Sequence, residues 1–211
     1  MITANVWERV VEVGSDINSG TGFTIDGPRG QYLVSARHLF PKADIIHVRI
    51  VYRSRRYDLH LEPLKVASPD ADVVVALLPE PITPPDLPLP ATSDGMIFGQ
   101  RAYFVGFPHG VGMSIGGDAR FPLVKGCVVS GTLSGPEPER KVLLLDGFNN
   151  PGFSGGPVVL LPGERDLPLQ VIGVVSGFLP EEIEQPEGWN VSANSGIVVA
   201  TPIEAVTSAL S

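Results

Sequence analysis

Cysteine is all but missing from this chain of 211 residues. Cys127 stands alone, so no disulfide can form within the chain and an apolar core has to hold the fold. It lies in an apolar run and reads as a small buried hydrophobe. Basic charge is scarce too, with 15 Lys and Arg against 23 Asp and Glu and a net charge of −8, which argues against nucleic acid or an anionic membrane as the main partner. Arg53, Arg55 and Arg56 form the only local basic cluster and read as a solvated hairpin. No apolar run approaches the length of a membrane span, and Glu8, Arg9, Glu12 and Asp16 interrupt any signal-peptide core near the start. Histidine is limited to His38, His47, His60 and His109. With one cysteine they offer no metal-ligand spacing, so neither a metal nor an organic cofactor is expected. Helical periodicity is nearly absent outside 201–210, where Thr201 is positioned to cap and Pro202 to take the first helical position.

What the chain has in quantity is turn residues, 24 Gly and 21 Pro, set between β-prone runs at 5–13, 20–26, 31–36, 45–53, 72–78, 101–107, 124–130, 141–146, 156–161, 170–177 and 196–201. Such a length accommodates one large domain or two small ones with real cores. The stretch from Pro79 to Pro90, which includes Pro81, Pro84, Pro85 and Pro88, is incompatible with a central strand and reads as a linker.

The chemistry concentrates in Asn150-Pro151-Gly152-Phe153-Ser154-Gly155-Gly156-Pro157, a small-residue loop with one serine, followed at once by the apolar run Val158-Val159-Leu160-Leu161. A hydroxyl on such a loop can meet a carbonyl carbon while nearby N–H groups face the oxygen that becomes negative, the geometry of acyl transfer. Gly152 to Gly156 also satisfies G-x-S-x-G, but that elbow is followed along the chain by an acid and then a histidine. Here all four histidines precede Ser154, so the natural order is His, acid, Ser.

Two upstream segments fit that order. Tyr32-Leu33-Val34-Ser35 is a β-prone run ending near His38, which puts an imidazole at a strand end. Asp70-Ala71-Asp72 leads into the buried run Val73-Val74-Val75-Ala76-Leu77-Leu78, which anchors an aspartate at its mouth. Asp72 abuts the run directly and is the preferred acid; Asp70 competes and otherwise reads as a solvated loop residue. His47, His60 and His109 read as structural or surface residues.

The chain resembles the trypsin-like serine proteases. Gly20-Thr21-Gly22-Phe23 resembles the family's early G-S/T-G-F strand, Ser35-Ala36-Arg37-His38 its histidine box, Asp72-Val73-Val74-Val75 its aspartate box and Val105-Gly106-Phe107-Pro108 its G-x-P turn. The serine loop is similar to the bacterial HtrA-type version, N-P-G-N-S-G-G-P. Ile172-Gly173-Val174-Val175-Ser176-Gly177 resembles the strand lining the substrate cleft, and Gly196 to Ile203 the last strand. The resemblance implies an all-β fold of two six-stranded antiparallel β-barrels with a short C-terminal helix. The expected division is an N-terminal barrel over 1–78 with His38 and Asp72, a linker over 79–92, and a C-terminal barrel over 93–211 with Ser154. The single cysteine and the interrupted N-terminus are expected to fit a bacterial cytoplasmic protein or a domain cut from a longer one, and no PDZ domain of the HtrA kind is expected in this chain.

By that resemblance His38 is the general base, Asp72 its orienting acid and Ser154 the nucleophile, with the N–H groups of Gly152 and Ser154 as oxyanion hole. Phe148 corresponds to the base of the primary pocket, and Ser176, Gly177, Phe178 and Gly196 to its walls. Phe148 brings no charge to attract Arg or Lys, and two aromatic rings are expected to narrow or fill the pocket. Phe153 stands where animal digestive relatives carry Asp and HtrA-type relatives Asn. Activation through an ion pair with a new N-terminus is therefore not expected, and the loop is either ordered by packing or a partner, or collapsed. Three functions remain open: a serine endopeptidase acting on peptides or proteins, a silent peptide-binding module with a blocked cleft, and an effector protease of a larger bacterial assembly that a regulatory domain or partner switches on.

Overall fold

The computed structural model of the protein describes residues 2–68, 70–114, 119–134, 141–161, 169–184 and 190–210. A short helix α1 (Ala4–Trp7) precedes a six-stranded antiparallel sheet made of β1 (Val10–Gly14), β2 (Ser19–Gly27), β3 (Gly30–Ser35), β4 (Ile46–Tyr52), β5 (Arg55–Leu61) and β6 (Val74–Leu77). Its strand order is β5-β4-β1-β2-β3-β6. The two edges meet through a single bridge, Pro63 to Ala76, and through Leu64 N–H donating to Val75 O at 2.7 Å. Proline has no N–H to extend that seam into a ladder.

The second half comprises β7 (Arg101–Gly106), a minor pair β8 (Met113–Ser114) and β9 (Arg120–Phe121), then β10 (Leu123–Ser134), β11 (Lys141–Asp146), β12 (Pro157–Leu160), β13 (Gln170–Glu184) and β14 (Asn190–Pro202). These close into a barrel in the order β10-β11-β14-β13-β12-β7, with β8 and β9 outside it. The chain thus has two antiparallel β subdomains, the first nearly closed and the second closed. Among the described residues no helix is long and apolar enough to cross a membrane.

The continuous apolar runs have a simple cause. Successive side chains of a strand point to opposite faces, and the strands at the junction of the two sheets bury both. Leu33, Val74 and Ala76 face the interior of the first sheet, and Val158, Leu160 and Ile172 that of the second. Their neighbours Tyr32, Val34, Val75, Val159 and Val171 join Val105 in a third cluster between the sheets. That interface fixes how the ends of β3 and β6 lie against the loop before β12.

The segment 79–90 forms no strand and lies against the first sheet. Gln31 Oε1 accepts from the N–H groups of Ile82 and Thr83, and the fully buried Arg9 reaches Leu87 O at 2.9 Å while pairing with Asp26. The terminal helix α2 (Glu204–Thr207) starts later than expected. Thr201 and Pro202 complete β14 opposite Val174 and Gly173, because pairing with β13 satisfies backbone groups that a helix start there would leave unpaired. Two further expectations change. The solvated hairpin expected at Arg53, Arg55 and Arg56 is present, but its second arm is a full strand, β5, that was not among the β-prone runs, with Arg53 bound to Glu8 and Arg56 to Asp58. β13 and β14 run on past the barrel as a two-stranded ribbon to Glu184 and from Asn190.

Candidate active site

β3 and β6 are paired to their ends, Ser35 opposite Val74. The residues that follow one strand and precede the other therefore emerge side by side. After β3 the chain makes a 3-10 turn, Arg37–Leu39, carrying His38; before β6 a tight turn with Val73 N–H donating to Ala71 O carries Asp72. The Asp72 carboxylate binds His38 twice: Oδ1 accepts from the His38 backbone N–H at 2.9 Å and Oδ2 from Nδ1–H at 2.7 Å. The hydrogen bond and the negative charge hold the His38 pKa above its ordinary 6.5 against the opposing effect of partial burial. Asp70 is exposed and makes no contact with His38 among the described residues.

The serine loop meets the first sheet at Thr21. Thr21 N–H donates to Ser154 O at 2.9 Å, its hydroxyl donates to Gly152 O at 2.6 Å, and the same oxygen accepts from Phe107 N–H at 2.9 Å. Gly155 has φ of +84°, and a Cβ there would collide with Thr21 O, Ser35 Oγ and Ala36 N. Only glycine lets the loop approach the strand end that leads to His38. A bulge in β13 between Val175 and Gly177 leaves Ser176 outside the ladder, and Ser154 Oγ donates to the Ser176 carbonyl at 3.4 Å. A bond between His38 Nε2 and Ser154 Oγ is not among the hydrogen bonds of the described residues.

Phe153 is an anchor of this loop. It is 1% exposed, inside the second barrel, with its ring edge-on to Phe104 at 4.9 Å between centroids. The ring therefore points into the barrel, and packing orders the loop at this position. Next to it Pro151 O accepts from His109 N–H at 2.7 Å. A trans peptide opposes its C=O and N–H, so the Gly152 N–H points away from His109. Among the described residues the N–H groups of Gly152 and Ser154 have no partner. His109 holds its position at φ of 52°, a region costly for a residue with a Cβ. Its backbone serves the loop, where the sequence pointed only to its side chain.

The expected pocket residues also lie near one another. Gly147 N–H donates to Gly196 O at 2.9 Å, and Phe178 is paired with Val198 beside it. Phe148, however, is 53% exposed and Phe178 37%. The Phe148 ring stands 5.4 Å from Lys125 Nζ, which also binds the Phe148 carbonyl and Asn150 Oδ1. At these exposures the two rings do not fill an enclosed pocket. The Ser176 hydroxyl pairs with Thr201 Oγ1 at 3.0 Å. A cleft of about 790 Å³ includes Asp72, Ser176 and Thr201 in its walls but neither His38 nor Ser154.

The remaining candidates lie elsewhere. His47 and His60 stack on each other on β4 and β5, and His47 faces Asp16 at 3.4 Å. Cys127 is buried in the second barrel, which pushes its thiol up to about 12. Among the described residues no group of three or more His, Cys, Asp or Glu side chains is arranged to hold a metal ion. Thr21, Lys125, Asn149 and Thr201 were not singled out from the sequence as members of the site. For Thr21 the signal is a lone polar residue between two glycines in a buried strand.

Solved structures with this architecture include the Rv3671c protease from M. tuberculosis in its active form, at 21% identity and a TM-score of 0.64 over 98% of this chain and 81% of that one. Its inactive form matches at 21% and 0.61, over 98% and 89%. The HtrA-type protease AlgW with a tripeptide matches at 20% and 0.63, over 94% and 57%. At these identities the likeness shows the fold. No curated protein sequence matches the chain. A family model described as a trypsin-like peptidase domain matches residues 20–165, a span that contains His38, Asp72 and Ser154 and most of the chain; the protein belongs to that family.

Proposed function

We propose that the protein is a serine endopeptidase working through Ser154, His38 and Asp72. The observation that carries this reading is the pair of hydrogen bonds that the Asp72 carboxylate accepts from His38. A carboxylate on Nδ1 keeps the proton there and leaves Nε2 as the base. In the proposed reaction Ser154 Oγ attacks the substrate carbonyl carbon as its proton passes to Nε2, and the carbonyl oxygen becomes an oxyanion facing the N–H groups of Gly152 and Ser154. Nε2–H then protonates the leaving amine as the C–N bond breaks, giving an acyl-enzyme. Water enters by the same steps and releases the acid. Each oxyanion donor is worth roughly 3 kcal/mol in such sites. The raised His38 pKa suits a group that must hold a proton midway through each half-reaction.

A second reading, a protease switched on by a partner, is favoured by one observation: the Ser154 hydroxyl is bonded to the Ser176 carbonyl. A fluorophosphonate probe applied to the isolated protein and to Ser154→Ala distinguishes the two. Rapid labelling of the first alone supports the constitutive enzyme, and absence of labelling refutes it. Substrates with Arg or Lys at P1 should be poor, since none of the proposed pocket residues, Phe148, Ser176, Gly177, Phe178 and Gly196, is acidic.

A further inference from the structure

Neither His38 nor Ser154 is in the walls of the cleft of about 790 Å³, and of the proposed substrate-pocket residues only Ser176 is. The cleft therefore reaches Asp72 separately from the surface on which a peptide would be cut. Its volume is within the range of about 300–1,000 Å³ at which pockets hold ligands, and most of its walls are apolar, with Ala71, Met96, Val142, Ile172, Val199 and Ala205 among them. Charge enters unevenly: among the described residues Asp70, Asp72 and Glu204 contribute carboxylates, and only Lys141 an ammonium. Ser93 Oγ donates to Glu204 Oε1, which fixes that carboxylate in the wall. Asp72 is open to a ligand. Its side chain keeps 29% of its surface exposed, and among the described residues His38 alone donates to it, once to each oxygen. A carboxylate accepts about four hydrogen bonds, so each oxygen keeps capacity for a cation arriving through the cleft. Beyond the wall, Ile97 and Phe98 follow Met96 and are 66% and 60% exposed. Large apolar side chains grouped at a surface mark places that other proteins cover.

We propose that this cleft docks an apolar segment of a partner protein carrying one arginine, whose guanidinium enters among Asp70, Asp72 and Glu204 while its apolar neighbours cover Met96, Ile97 and Phe98. The excess of carboxylates selects a cation, and a guanidinium is the cation that is least hydrated and best suited to a partly buried ion pair. A small organic cation would fill the cleft but leave Ile97 and Phe98 uncovered. Docking has a consequence for His38. A cation beside Asp72 offsets the negative charge that helps to hold the imidazole pKa up, so occupancy lowers that pKa. The partner is thereby felt at the base without touching it.

The inference goes beyond the proposed function, and its test needs no turnover. The peptide acetyl-Leu-Leu-Arg-Phe-Leu-amide, and the same peptide with Glu in place of Arg, are titrated calorimetrically into the Ser154→Ala protein. The Arg peptide should bind about tenfold more tightly, the worth of one well-placed ion pair. Asp70→Lys in that background, at an exposed position, should cancel or reverse the preference. Ala205→Trp, which fills the cleft from α2, should weaken the Arg peptide about tenfold or more; if circular dichroism shows that it does not fold, Asp70→Lys decides the matter. The His38 ring, followed by proton NMR, should titrate at lower pH in the complex than in the free protein. No binding by either peptide, equal binding of both, a preference that survives Asp70→Lys, or a His38 titration that the bound peptide leaves in place overturns the proposal. Arg-selective binding by a wild type that resists the fluorophosphonate leaves this inference standing while the enzyme reading falls; labelling without such binding does the reverse.

Discussion

Replacing Asp72 by Asn changes one oxygen to an NH₂ and, through the geometry around it, reverses the imidazole. The His38 backbone N–H can only donate, and it lies 2.9 Å from Oδ1. The new amide must keep its oxygen there, which leaves its NH₂ facing Nδ1, now 2.7 Å from the second carboxylate oxygen. Two donors cannot face each other at that distance, so Nδ1 loses its proton and the proton moves to Nε2. A protonated Nε2 cannot accept from Ser154. The expected loss in kcat/KM is about 10⁴-fold, or about 5.5 kcal/mol of barrier, with little change in folding because both hydrogen bonds are replaced. Asp70→Asn, at an exposed position, should leave the rate nearly unchanged. Hydrolysis of a peptide ester measures the rate, and nitrogen-detected NMR of the His38 ring reads the tautomer. A loss smaller than tenfold, or a ring still protonated on Nδ1, refutes the argument; a large effect from Asp70 instead shows that the acid is the wrong one.

The raised His38 pKa carries a sign that can be checked: the charged pair stabilises the fold fully below the unfolded value of about 6.5 and is lost as pH rises through the higher folded value. The urea midpoint should therefore fall across that window, by under about 1 kcal/mol because the pair is partly exposed, and the fall should vanish in Asp72→Asn; kcat/KM should show an acid limb above pH 6.5. Phe153→Ala should cost about 3–5 kcal/mol in urea unfolding, given a ring 1% exposed and packed on Phe104, and Phe153→Leu should recover much of it; equal midpoints for wild type and Ala contradict the anchoring role. Thr21→Val keeps the shape but leaves Phe107 N–H and Gly152 O without their partner, a loss of about 1–3 kcal/mol per buried group that Thr21→Ser should avoid. If Val and Ser unfold at the same urea concentration, the hydroxyl is not what clamps the loop.

Much of the fold was legible in one dimension because its central strands bury both faces. Val73 to Leu78 and Val158 to Leu161 are apolar without interruption, and such runs announce themselves in composition alone. β5 was harder to see: Arg55, Arg56, Asp58 and His60 leave only a sparse apolar pattern on an edge strand. The ribbon beyond Gly177 has the same difficulty, since Glu181, Glu182 and Glu184 are exposed and no core lies beneath them. Pro202 looked like a helix start from its neighbours, and only the distant Gly173 made it the end of a strand.

The order of His38, Asp72 and Ser154, the glycines around the serine and the alternation of strands and turns belong to the sequence, because each is a local matter of backbone conformation or of period. Which way each aromatic ring faces belongs to the tertiary structure. Phe148 and Phe153 are alike in type and stand in the same loop, yet Phe148 stands beside Lys125 at the surface while Phe153 is buried against Phe104. The same holds for the contacts of Thr21 with Gly152 and of Asn149 with Asn194, which join segments far apart along the chain. Such contacts depend on how the two sheets dock, and that docking is set by the summed packing of many side chains, none of which specifies it alone.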